Sequence, residues 1–404
     1  MPVRAGAHLS AGLSQVGELQ EHLNVGLALA MSKRWDEAAQ EFELAAAADP
    51  LDAEAQFQLG KASQALGRHA KAEASYKRCI ELDPGRVEAR ARLGAVLAQS
   101  GKSGEGLLAF REALIKDSGN VMALNAMGDM HMAAGELEQA AHAWERSLAS
   151  QSNQAETAFK LGFALETLGH LEDAAAHYQA AQRLTPRRLP VLLALASVLE
   201  KRGRVSEAAQ VLADAVALKP GEAALVLRWA RALEAVGDAS PAEAALRHVL
   251  LEDPLQPEVS AHLGWICVQK GEAAEAEKLL RTAAPGLEEG AQKLLANAWL
   301  AQHAGRVEEA LKLYRAAVDV EPDRAAAWEA LAGLLYRRSE LDAALDAYGR
   351  LVDLKPEHLE AHIRLGSLNL KMGRREAARA AWERALELEP GNALVRKNLA
   401  VLKG

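Results

Sequence analysis

Residues Ala53 to Arg86 read AEAQFQLGKASQALGRHAKAEASYKRCIELDPGR, and this stretch decides the fold. Its 34 residues divide into two short amphipathic helices and two breaks. The first helix carries Leu59 and Gly60, the turn is Gly67-Arg68, and the second helix carries Ala72, Tyr76 and Cys79. Asp83-Pro84-Gly85 then ends the unit. The same unit returns eleven times from Leu19 to Asn392 without an inserted or deleted residue. A fixed period of this length predicts an all-α chain in which each helix pair buries its apolar face on the next, a solenoid rather than one globular core.

The repeats run 19–52, 53–86, 87–120, 121–154, 155–188, 189–222, 223–256, 257–290, 291–324, 325–358 and 359–392. Position 8 is always small, from Gly26, Gly60 and Gly94 through Ala298 and Ala332 to Gly366, and position 20 is Ala in ten repeats and Gly106 in the other. Position 24 is large throughout: Phe42, Tyr76, Phe110, Trp144, Tyr178, Leu212, Leu246, Leu280, Tyr314, Tyr348 and Trp382. The small residues let the two helices of a unit approach, and the large ones fill the space left. Position 32 is Pro in eight repeats, where it stops the second helix; Ser118, Ser152 and Glu288 are the exceptions.

This pattern resembles the tetratricopeptide repeat family, over 374 of the 404 residues. The resemblance implies a right-handed superhelix, with the first helix of each unit lining a concave groove and the second facing outward. It also implies a scaffold that binds extended segments or helices of other proteins. Residues 1–18 precede the repeats, and Leu9, Leu13 and Val16 at helical spacing predict a short helix covering the open end of repeat 1. Residues 393–404 carry Leu394, Leu399 and Leu402 and suit a C-terminal capping helix. Two repeats break the pattern. Ser240-Pro241-Ala242-Glu243 predicts that the second helix of repeat 7 begins a turn late, and Pro285-Gly286 predicts that the second helix of repeat 8 ends early.

Composition narrows the function. The net charge of -8 supplies no bulk positive field for nucleic acid. No stretch approaches an uninterrupted membrane span, and the first twenty residues lack the apolar run of a signal peptide, so the expectation is a cytoplasmic protein. Cys79 and Cys267 fall six repeats apart, too far for a disulfide. Gly101-Lys102-Ser103 looks like the end of a phosphate loop, but Val96 stands where that loop needs Gly and no strand precedes it. His358 and His362 could share a metal on one helical face but have no evident third ligand. No catalytic constellation or cofactor motif is present, so the chain reads as a non-enzyme without cofactors.

In the family the resemblance points to, positions 2, 5, 6, 9, 12 and 13 of each first helix face the groove. The asparagine ladder of glycosyltransferase-linked repeats reduces here to Asn24, and no three consecutive repeats supply the Lys and Asn set that clamps a chaperone's terminal carboxylate. The groove set does contain Phe159, Phe163, Arg228, Arg231, His262, Trp265, Trp299 and His303. Trp and Arg dominate binding hot spots, and here they would hold apolar anchors and carboxylates of a partner polypeptide. Trp144, Trp229, Trp328 and Trp382 read as core. Residues 1–52 carry a net charge of -5 and residues 359–404 one of +4, which also admits weak head-to-tail self-association. The expected function is a protein-interaction adaptor; the alternatives are a regulatory or substrate-presenting subunit of a separate enzyme, as in polysaccharide or glycosyl transfer, and a self-assembling structural protein.

Overall fold

A computed structural model describes the backbone of residues 3–237 and 240–403, and side chains within 17–237, within 240–400 and at Leu402. The chain forms two compact units, residues 1–218 and 219–404. The first unit holds α1 (Val3–Met31), α2 (Trp35–Ala48), α3 (Ala53–Ala65), α4 (His69–Leu82), α5 (Val87–Gln99), α6 (Ser103–Lys116), α7 (Val121–Ala133), α8 (Leu137–Ser150), α9 (Ala155–Thr167), α10 (Leu171–Leu184), α11 (Leu189–Lys201) and α12 (Val205–Leu218). The second holds α13 (Ala223–Ala235), α14 (Ser240–Glu252), α15 (Pro257–Lys270), α16 (Ala273–Ala283), α17 (Ala291–His303), α18 (Val307–Val320), α19 (Ala325–Arg337), α20 (Leu341–Leu354), α21 (Leu359–Lys371), α22 (Arg375–Leu388) and α23 (Ala393–Lys403). No strand occurs among the described residues. No described helix is long and apolar enough to cross a membrane.

Helix boundaries follow local chemistry. Within each repeat the turn at position 15 is left-handed: glycine supplies it in nine repeats, with Gly67 at φ 69° as one case, whereas Lys33 (φ 59°) and Ser339 (φ 61°) adopt it despite their side chains. At the start of the first helices, position 34 of the preceding repeat caps where it can. Asp52 accepts from the Ala55 amide at 2.6 Å, Asn120 from that of Ala123 at 3.1 Å, and Asn392 from that of Val395 at 3.1 Å.

The core is a series of knobs and holes inside the repeats. A Cβ built on Gly60 would lie 2.6 Å from the Tyr76 ring, and one on Gly26 2.6 Å from that of Phe42. Phe42, Tyr76, Phe110, Trp144, Tyr178, Tyr314 and Trp382 are fully buried. Three polar tips find partners, Tyr76 donating to Gln64 at 2.9 Å, Tyr178 to Glu166 at 2.9 Å and Trp382 to the Ile363 carbonyl at 3.2 Å, whereas the buried Trp144 Nε1 has none among the described residues.

Several expectations change in detail. Helix α1 runs unbroken from Val3 into repeat 1, so the leading residues continue the first helix; the side chains of Leu9, Leu13 and Val16 lie outside the described residues. Helix α14 is in place by Ser240, so the full-turn delay does not occur. Proline in the first turn gives up only an amide that has no intrahelical acceptor there. Helix α16 does stop early, at Ala283, and a single 3₁₀ turn over Ala284–Gly286 replaces its last residues. On α23 the buried stripe is Val395, Leu399 and Leu402, while Leu394 is exposed, because spacings of four and three hold one helical face and Leu394 falls off it. Trp144 and Trp382 are core residues; Trp229 and Trp328 are only half-buried, and the Trp328 indole donates to the Pro322 carbonyl at 2.8 Å.

Candidate functional site

Six of the eight groove residues singled out in the sequence lie in the second unit, on α13, α15 and α17. Arg231 projects from α13 and is exposed, and Arg228, one turn earlier, is half-buried and engaged. Trp265 on α15 and Trp299 on α17 pack their inner edges into one cluster with Ala261, Leu280, Leu287 and Ala296, and both stay half-exposed. Each indole therefore works in two ways: one edge joins neighbouring repeats and the other remains accessible. His303 lies flat on Trp299, with ring centroids 5.0 Å apart and planes 9° from parallel. Its Nε2 faces Glu277 of α16 at 3.5 Å.

His262 is the most buried member, at 9% exposure. Burial, helped by Arg231 and Arg324, pushes its imidazole down to about 4. Its Nε2 lies 3.2 Å from Glu234 Oε1 but without hydrogen-bond geometry. A carboxylate so close would ordinarily raise a histidine's pKa. Burial, however, pushes the Glu234 carboxyl up toward its neutral form, against the pull of Lys355, Arg231 and Arg324, which weakens that counter-charge. Arg231 and Arg324 thus act on both Glu234 and His262 and Lys355 on Glu234, and Arg324 is itself paired with Glu321 at 2.9 Å.

Sequence reasoning missed Glu234, Arg324 and Lys355. Glu234 sits at groove position 12 and could have been read from the pattern. Arg324 and Lys355 sit at positions 34 and 31, in the turns between repeats, where a helix-face pattern gives no signal. Phe159 and Phe163 belong to the first unit. Phe163 is 51% exposed, whereas Phe159 packs against Tyr178 with centroids 5.6 Å apart and carries the Arg188 guanidinium 5.3 Å above its ring. His358 and His362 have structural work. His358 accepts from the Ala361 amide at 3.2 Å and faces Glu329 at 3.4 Å, and His362 reaches the Pro356 carbonyl at 2.9 Å. No group of three or more His, Cys, Asp or Glu that could hold a metal occurs among the described residues.

Four family models match this chain, each described as tetratricopeptide repeat. One covers residues 125–188, 159–223 and 295–358, and the others cover 201–266, 53–86 and 359–392. The chain belongs to the tetratricopeptide repeat family. No curated protein sequence matches it. Among solved structures, yeast Tom70 is similar at 15% identity, covering 95% of each chain with a TM-score of 0.40. A tetratricopeptide repeat protein from Parabacteroides merdae is similar at 17% identity, over 62% of this chain and 99% of its own, with a TM-score of 0.48. MamA from Desulfovibrio magneticus matches at 20% identity, over 41% of this chain and 94% of its own, with a TM-score of 0.38. Repeats of this family support protein interaction in general.

Proposed function

We propose that the protein is a scaffold without catalytic chemistry of its own, and that the first-helix face of its second unit receives an extended, carboxylate-bearing segment of another protein. The observation that carries this reading is the pair of half-exposed indoles, Trp265 and Trp299, in a unit where Arg231, Arg324 and Lys355 act on the first-helix residue Glu234. The indoles offer apolar contact area and the cations offer charge-assisted hydrogen bonds, the two components of a hot spot. Arg228, His262 and His303 shape the rim and floor of this site. Phe159 and Phe163 form a separate apolar contact in the first unit.

The test is cross-linking mass spectrometry on complexes captured by the full chain, beside a Trp265→Ala/Trp299→Ala variant. The expected result is cross-links on α13, α15 and α17, with capture of the same partner falling at least ~10-fold in the variant. Circular dichroism checks that both chains are equally helical. Undiminished capture by the variant would overturn the assignment.

A further inference from the structure

Positions 22 and 29 of each repeat lie on the second helix, and only repeat 3 has large aliphatic residues at both, Leu108 and Ile115. They are 58% and 80% exposed. Helix α6 turns Gly106, Ala109, Phe110 and Ala113 into the core, and Leu108, Arg111, Glu112 and Ile115 share the opposite face at spacings of three and four. Arg111 makes no ion pair among the described residues, and Glu112 has only the Arg90 guanidinium, 3.9 Å away. Gly104, at the start of the same face, has no side chain to hold another helix off.

The order of this face is its own complement. Reversed about a point between residues 111 and 112, leucine falls on isoleucine and arginine falls on glutamate. We infer that α6 is a self-association face, pairing antiparallel with α6 of a second copy across a two-fold axis. Leu108 then packs on the second copy's Ile115, and Arg111 pairs with its Glu112, each contact occurring twice. A parallel pairing would set Arg111 against Arg111. A partner carrying one sign of charge would meet both signs here, so the second copy is the occupant that charge complementarity selects. Four aliphatic side chains fall well short of the roughly 800 Å² per partner of a stable complex, so the dimer is weak, with a Kd on the order of 100 μM. It stands independently of the groove.

Sedimentation equilibrium on the full chain, from roughly 5 to 500 μM, tests the pairing by mass action. The apparent mass should climb toward twice the monomer and stop there. Arg111→Glu sets glutamate against glutamate, and Glu112→Arg sets arginine against arginine, so each alone should weaken the dimer at least ~10-fold. The double variant Arg111→Glu/Glu112→Arg exchanges the charges and should restore it. All four positions are exposed or outward-facing, and circular dichroism verifies the fold of each variant. A chain that stays monomeric throughout overturns the inference. So does a dimer indifferent to the single reversals, a double variant no better than the singles, or a mass that grows past two copies.

Discussion

At Gly366 a hydrogen is the largest substituent the site accepts, because an added Cβ would run into the indole of Trp382, itself fully buried and hydrogen-bonded to the Ile363 carbonyl. Gly366→Ala should therefore cost about 1–3 kcal/mol, read as a lower urea midpoint at unchanged slope. His262 gives a second prediction at this scale. Its imidazole is held near 4 when folded against an ordinary 6.5, so the unfolded chain takes up the proton first. Stability should fall as pH drops from about 7 to about 4, by roughly 3 kcal/mol from this group, and stay level below that. Glu234, raised by burial, acts in the opposite sense in that range, so the comparison with His262→Gln isolates the histidine. The variant should lose that part of the acid slope in denaturant titrations taken across the window.

The elements were legible in the sequence to the extent that each repeat determines its own structure. Small residues at position 8, large ones at 24 and Pro at 32 are local signals, and the helices fall where those signals put them. What sequence reasoning missed was set between elements. The half-burial of Trp328 depends on how its ring meets the Pro322 carbonyl, and the cations at the groove come from turns that no helical periodicity describes. The division of the first-helix candidates between two units was not legible from the repeat pattern. The terminal helix α23 shows how an element earns its place by covering another. Val395 is fully buried and packs with Leu399 and Leu402 over Ile363 and Trp382. Val395→Asp would bury an unpaired carboxylate and should lower stability by about 2–4 kcal/mol in thermal melts. Leu394→Asp, on the exposed side of the same helix, should change it by less than about 0.5 kcal/mol.

The whole chain carries a net charge of -8, yet its first 52 residues hold -5 and its last 46 hold +4. Any contact between such ends would be heterologous and would add copies without closing, whereas the two-fold pairing proposed for α6 closes at two. The two would differ in what limits assembly, and salt would weaken either because each relies on exposed charge. In the seven repeats with glycine at position 8, the position-24 knob faces that glycine in the same repeat rather than in a neighbour. Each lock is thus inherited complete with its key. Duplicating or losing one whole period in the gene leaves every remaining lock matched and the next helix in phase, while an indel inside a period parts a knob from its hole. The invariant spacing of eleven copies is therefore also the grain along which this protein can lengthen or shorten in evolution.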